Sequence, residues 1–329
     1  MLLSFKKLLL GFFLVVVALF TFFFLGRPPQ AKEIKWGVNF SQKHAELLGL
    51  DWKRNYLALM DDLKVKRVKL ITHWDLLEPG KDNYYFEDVD WQIEEAEKRG
   101  VESLLVMGMK TPRWPECHIP GWAKNLSKEE QQKEILELLE RIVSNYGGST
   151  SIVMWQVENE PLFPFGECPW IDENFLRKEV DLVKSLDKRP VLLTDSGEGS
   201  FWIRVAQIGD IVGTTMYRKV WMSELNRYIS YPFPEMFYYR KAQIVGKIFG
   251  KKVICVELQA EPWGPKLLYD LPIEEQEKTM NLKKFKNIIN FAKRTGFNEF
   301  YLWGAEWWFW LREEKNDQSI WNEATKLFR

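Results

Sequence analysis

The sequence predicts a (β/α)8 barrel preceded by one apolar helix. Two observations point to the barrel. From residue 34 onward, short apolar runs alternate with amphipathic stretches through eight repeats, and a barrel of this kind usually takes about 250 residues, more with insertions. Carboxylates, amides and indoles follow the apolar runs, whereas the opposite ends are plain helix-to-strand turns such as those at Gly100 and Gly296. The helix rests on a third observation. Lys6 and Lys7 precede nineteen residues without a charge, 8–26, long enough to cross a bilayer as a helix.

Taken in order, the predicted strands are 34–39, 67–72, 101–107, 151–157, 190–194, 211–216, 252–256 and 297–303. The clear helices between them are 52–63, 89–99, 128–146, 172–186 and 273–294. Glu97-Lys98-Arg99-Gly100-Val101 is a helix end with glycine at the stop. A doubly wound sheet is the alternative. It usually has fewer strands, and no Gly-x-Gly-x-x-Gly follows the first one. Residues 1–30 form an anchor segment with its linker, and 31–329 form the barrel.

For residues 8–26 the competing reading is a cleaved secretory signal. Its apolar part is usually shorter, and no clear small-x-small site precedes Arg27, which favours an uncleaved transmembrane signal-anchor. Lys6 and Lys7 favour a cytoplasmic N-terminus, while Arg27 and Lys32 on the far side weaken that bias. Either reading places the barrel outside the cytoplasm.

Composition narrows the function. Lys plus Arg and Asp plus Glu both number 46, and no basic stripe breaks the balance, so a nucleic-acid partner has no electrostatic support. Three cysteines and three histidines, without Cys-x-x-Cys or His-x-His, argue against a metal centre, and no cofactor is expected. Cys255 lies in an apolar run and reads as core. Cys117 and Cys168 lie on the loops after the third and fourth strands, and outside the cytoplasm they could pair. Sixteen tryptophans exceed an ordinary complement. Core filling accounts for about half of them, and the rest suit the apolar faces of sugars.

The fourth strand ends in Trp155-Gln156-Val157-Glu158-Asn159-Glu160-Pro161. The seventh is closed by Glu257. Two glutamates at the tips of parallel strands suit glycoside cleavage, with one protonating the leaving oxygen and the other attacking or activating water. Asn-Glu-Pro alone is a weak signal, and a strand-end glutamate is more often a solvated loop residue. The shared context of the two glutamates raises the odds. Other residues at the same end are His73 and Trp74 after strand two, Trp114 after strand three, Tyr217 after strand six, Glu261 and Trp263 after strand seven, and Trp303 at the end of strand eight.

These residues resemble the clan of retaining glycoside hydrolases built on the (β/α)8 barrel, which includes the family-five cellulases and many β-galactosidases. The carriers are Trp155 with Asn159-Glu160-Pro161, then Glu257, Trp303, and Trp74-Asp75-Leu76-Leu77-Glu78-Pro79-Gly80, which looks like the clan's Trp-x-x-x-Glu-Pro turn. The resemblance implies Glu160 as general acid/base, Glu257 as nucleophile, Asn159 on the sugar 2-hydroxyl, Tyr217 on the nucleophile, and Trp303 as floor beneath the reacting sugar. It also implies a cis peptide after Trp303. One position departs: the clan often carries arginine in strand two, where this chain has Lys69, or Arg67 if the alignment slips by two. Glu261 is the rival nucleophile, and Glu257 is preferred because strand tips hold groups more rigidly than loops. The partner implied is an oligo- or polysaccharide. A sugar-binding barrel without catalysis and a transglycosylase acting on envelope glycan are the competing readings.

Overall fold

A computed structural model describes residues 2–328, with side chains from Lys7 onward. Eight parallel strands close a barrel, β1 (Lys35–Ser41), β2 (Arg67–Ile71), β3 (Glu102–Met107), β4 (Ile152–Val157), β5 (Val191–Asp195), β6 (Ile211–Met216), β9 (Lys252–Gln259) and β10 (Glu299–Trp303). Between β6 and β9 a small antiparallel hairpin is inserted, β7 (Lys219–Met222) and β8 (Arg227–Ser230). The helices are α1 (Leu2–Phe24), α2 (Gln42–Leu47), α3 (Trp52–Asp61), α4 (Trp74–Leu77), α5 (Glu87–Lys98), α6 (Lys128–Tyr146) and α7 (Glu173–Leu186). They continue with α8 (Ile203–Ile208), α9 (Glu235–Phe249), α10 (Ile273–Gln276), α11 (Leu282–Lys293), α12 (Ala305–Glu314) and α13 (Ser319–Thr325).

Most of the expected strands are in place, with ends shifted by one or two residues. Three expectations change. The stretch 273–294 is two helices, because Asn281 accepts the Lys284 N–H at 3.0 Å and caps a fresh start. Helices α2, α4, α8, α9, α12 and α13 and the β7–β8 hairpin are additions to the expected elements. The strand expected to close at Glu257 runs on through Gln259.

That last difference shapes the site. Along β9, Thr214 of β6 faces Cys255, but Thr215 faces Glu257, so one residue is extra. Cys255 and Leu258 pack outward with the helices, whereas Val256 belongs to the cluster inside the barrel. A bulge of this kind re-aims one side chain, and here it turns Glu257 inward.

The barrel interior is layered. Leu104, Met154, Leu192, Ile254, Val256 and Tyr301 form an apolar layer. Closer to the strand ends, Asn39, Lys69, Gln156 and Thr194 are all buried. Ile71, Val106 and Trp303 form the layer at the rim, with Tyr217 against it. Buried polar groups of this kind are costly unless they find partners, and their partners make up the site.

Cys117 and Cys168 form a disulfide with Cα atoms 5.2 Å apart, so the loops after β3 and β4 are tied together. The end of α1 is packed on the barrel. Phe23 meets Phe237 at 5.9 Å and Phe201 at 6.1 Å, Phe24 meets Phe233 at 6.4 Å, and the Arg240 guanidinium lies over Phe22 at 4.7 Å. The rest of the apolar helix, Leu8 to Thr21, is uncovered by protein.

Candidate active site

Glu160 reaches the rim on an unusual loop. Glu158 and Glu160 both adopt left-handed backbone, φ 57° and 43°, a region non-glycine residues enter at a cost of about 1 kcal/mol or more and leave unless held. The holding groups are all present. The Glu158 carboxylate accepts the Met109 N–H at 2.8 Å and also the Lys110 N–H. The Glu160 N–H donates to Thr194 Oγ1 at 2.6 Å. Lys110 Nζ donates to the carbonyls of Glu160 and Phe163 at 3.0 and 2.8 Å, clasping the β3 loop to the β4 loop. Gly108, at φ +128°, is required here because a Cβ would collide with the Glu158 carboxylate.

Glu257 is held by two donors. Lys69 Nζ lies 2.9 Å from its Oε1, and Tyr217 OH lies 3.1 Å from its Oε2. The residue on Glu257 is therefore Lys69. Arg67 pairs instead with Glu102 at 2.8 Å. Burial and then the negative charge of Glu257 push the Tyr217 hydroxyl well above its ordinary 10, so it keeps its proton and donates. Its own N–H donates to Glu198 at 3.0 Å, and Glu198 also accepts from Tyr238 OH.

Glu160 lies close to this pair. Thr215 Oγ1 is 3.4 Å from Glu160 Oε1, and Thr215 is the register partner of Glu257. Burial first, and the charges of Glu257 and Glu116 next, push the Glu160 carboxyl well above the carboxylate range. Its protonated form is therefore favoured more than that of an ordinary carboxyl. The two glutamates thus differ in surroundings, Glu257 accepting from two donors and Glu160 buried beside negative charge.

Asn159 is fixed through its amide. Its Oδ1 accepts from Gln156 Nε2 at 3.2 Å and from Thr194 Oγ1 at 3.3 Å, and its Nδ2 donates to Glu116 Oε2 at 3.1 Å. Glu116 was not singled out from the sequence, although it lies inside the Arg113-to-His118 stretch of the rim. Its signal is its position beside Cys117, on a loop tied to the Asn-Glu-Pro loop.

Glu261 belongs to a different group. Arg113 Nη1 donates to Glu261 Oε1, and Arg113 Nη2 lies 3.1 Å from Glu306 Oε2. Burial would raise the Glu261 carboxyl, but the Arg113 guanidinium, with His44 beside it, overrides that and holds it at about 2. The same guanidinium covers the Trp303 ring at 3.9 Å. The peptide after Trp303 is trans, contrary to expectation. The only cis peptide among the described residues is Trp114–Pro115, and the turn after Trp303 is made by Gly304 at φ +133°.

His73 is buried between Ser41 Oγ at 3.1 Å and Thr111 Oγ1 at 3.0 Å, with the His118 ring 4.0 Å away. Burial holds both imidazoles below their ordinary value and neutral, His118 at about 4. Trp74 needs correction as a sugar platform. It is fully buried, its indole N–H donates to Glu78 at 2.8 Å, and Trp122 abuts it, so no face remains for a ligand. Trp114, by contrast, is 46% exposed. From it a row of rings leads inward, with Phe165 at 6.3 Å, then Trp263 at 5.8 Å, then Tyr217 at 5.2 Å. Among the described residues, Glu78, Asp82 and Glu134 bring carboxylates within 4.8 Å of one another. An ammonium already serves them, because Lys81 Nζ lies 3.1 Å from Glu134.

No family model matches the chain, and no curated protein matches it in sequence. Solved structures do share its fold. Xylanase 10B from Thermotoga petrophila, in complex with xylobiose, is similar with TM-score 0.53 at 16% identity, over 83% of this chain and 82% of that one. A β-galactosidase from Halorubrum lacusprofundi gives TM-score 0.55 at 16% identity, over 82% of this chain and 52% of the other. The GH5_18 protein from Bifidobacterium longum subsp. longum gives 0.59 at 12% identity, over 83% and 70%. At these identities the likeness establishes the barrel fold.

Proposed function

We propose that the chain is a retaining glycoside hydrolase that cleaves β-linked oligo- or polysaccharides, with residues 31–329 as the catalytic barrel. One observation carries this reading. Glu257 lies between two donors, Lys69 and Tyr217, while Glu160, in contact with Thr215, the register partner of Glu257, is buried and pushed toward its protonated form. Glu160 gives its proton to the glycosidic oxygen as that bond breaks. Glu257 attacks the anomeric carbon, forming a glycosyl-enzyme, and Lys69 and Tyr217 meanwhile keep the attacking carboxylate oriented. Glu160, now ionised, takes a proton from water as the water displaces Glu257. Asn159 meets the sugar 2-hydroxyl, and Trp303 forms the floor. The row from Trp114 to Tyr217 offers stacking surface for sugars beyond the cleaved bond. The names of the fold neighbours, a xylanase and a β-galactosidase, agree with the substrate class.

The test is release of aryl groups from a panel of β-glycosides by the detergent-solubilised full chain. Turnover is expected to fall as pH rises through the raised pKa of Glu160, because the acid is then lost. Glu160→Ala should spare substrates with good leaving groups, abolish the alkaline limb, and respond to azide with product of retained configuration. No release from any β-glycoside or β-polysaccharide would overturn the reading.

The membrane part of the proposal rests on α1, where residues Lys7–Phe24 have mean hydropathy 2.5 and all but the last turn is uncovered by protein. We infer an uncleaved anchor that holds the barrel on the extracytoplasmic side, where the Cys117–Cys168 bridge is at home. Fractionation of expressing bacteria should leave the protein in membranes after a salt wash. A soluble product starting near Arg27 would refute the anchor.

A further inference from the structure

We propose that Glu116 is a substrate-binding acid of the same cleft, with one carboxyl oxygen holding the Asn159 amide and the other donating a hydrogen bond to an oxygen of the sugar that Asn159 meets. The inference deepens the glycosidase reading and rests on it.

The backbone of Glu116 is locked. Its N–H donates to the Arg113 carbonyl at 2.7 Å, and its carbonyl accepts from Thr111 at 2.9 Å. It has left-handed backbone at φ 73°, and the next residue is bridged to Cys168. The side chain is equally constrained. Gln156 and Thr194 occupy Asn159 Oδ1, which leaves Asn159 Nδ2 to face Glu116 Oε2. Glu116 is 6% exposed, yet its Oε1 has no protein partner and is not among the oxygens sealed from solvent. That oxygen is open to solvent, on a side chain close enough to Glu257 and Glu160 for their charges to act on one another.

The charge around it sets what the oxygen offers. Lys110, Lys69, Glu257 and Glu160 all act on the group or respond to it. Burial pushes the Glu116 carboxyl up to about 8, against the pull of Lys110 and with the help of Glu257. At neutral pH it is protonated. Because Oε2 accepts from Asn159, the proton sits on Oε1 and becomes a donor aimed into the cleft. Asn159 Nδ2 has a second hydrogen beside it. Two adjacent donors match the oxygens of a neutral sugar. Above pH 8 the Oε1 donor becomes a bare carboxylate, and its negative charge is added beside that of Glu257.

Glutamine mimics the protonated form permanently, since its carbonyl can accept from Asn159 and its amide can donate into the cleft. The probes are phenyl 1-thio-β-glycosides of glucose, galactose, mannose and xylose. Their thio linkage resists cleavage, so binding is read without turnover, by tryptophan fluorescence on the solubilised full chain either side of pH 8. For the probe that wild type binds best, wild-type affinity should fall about tenfold at the alkaline end, the loss expected for one hydrogen bond to a buried group. Glu116→Gln should hold its neutral-pH affinity across the range, and Glu116→Ala should bind about tenfold more weakly at every pH. Because the charge of Glu116 also acts on Glu160, both proteins are compared in a Glu160→Gln background, where the difference between them isolates Glu116. An identical pH dependence in those two proteins, wild-type affinity in Glu116→Ala, or no binding of any probe overturns the proposal. Turnover of aryl β-glycosides judges the glycosidase reading separately.

Discussion

Glu257→Ala is expected to lose at least about 10,000-fold in turnover, because in the proposed mechanism Glu257 forms the covalent bond to the sugar. Azide, small enough for the vacated space, should restore part of the rate and give product of inverted configuration. The variant also strands Lys69, a fully buried ammonium whose carboxylate partner is gone. Breaking such a pair costs about 3–5 kcal/mol, so lost activity could be mistaken for lost fold. Glu257→Gln controls for this. It keeps the shape and an acceptor for Lys69 and Tyr217 but cannot attack, so it should remain folded and inactive. If Glu257→Ala retains wild-type turnover while Glu261→Ala is dead, the nucleophile has been misassigned.

Arg113→Leu should produce the largest loss of stability away from the two glutamates. The substitution leaves Glu261 and Glu306 buried with their shared cation removed. An uncompensated buried charge of this kind costs about 3–5 kcal/mol, which in a chain of this size is a fall of roughly 4–7 °C in thermal midpoint. The pH dependence gives the cause. In wild type the Glu261 carboxyl is held at about 2, below its unfolded value, so its contribution is present above the unfolded pKa and disappears as pH falls through about 2. Without Arg113, burial dominates and Glu261 takes up a proton near or above its ordinary range. The deficit of the variant should therefore shrink as the solution is acidified toward pH 5. A deficit constant with pH would show that lost packing over Trp303, rather than the stranded carboxylates, is responsible.

What could be read in advance follows from periodicity. Strand runs such as 151–157 are apolar enough to stand out, and a polar residue at the end of such a run marks the rim. Glu160, Glu257 and Tyr217 stand out that way, Lys69 enters only through the clan resemblance, and the fold brings Lys69 and Tyr217 onto Glu257. Helix α12 was not legible because Ala305-Glu306-Trp307-Trp308-Phe309 is buried on nearly every side and so has no polar face to set a period. Glu116 and Arg113 were hidden for another reason. Their partners lie far away in the chain, Asn159 for one and Glu261 and Glu306 for the other. Only the closure of the barrel and the Cys117–Cys168 bridge bring them together. Trp74 shows the converse error, since an indole next to a catalytic strand can spend both faces on the core.

The packing of Phe23 and Phe24 onto Phe201, Phe233 and Phe237 has a consequence for diffusion. A barrel on a loose tether would tumble and sample solution in every direction. Here the last turn of the helix is packed against the wall of the barrel. Where that helix is embedded in a bilayer, the cleft keeps one inclination to the lipid surface and patrols a layer of fixed height. Encounters with its substrate then become a search in a plane, and chains lying at that height are met far more often than equal numbers free in the bulk.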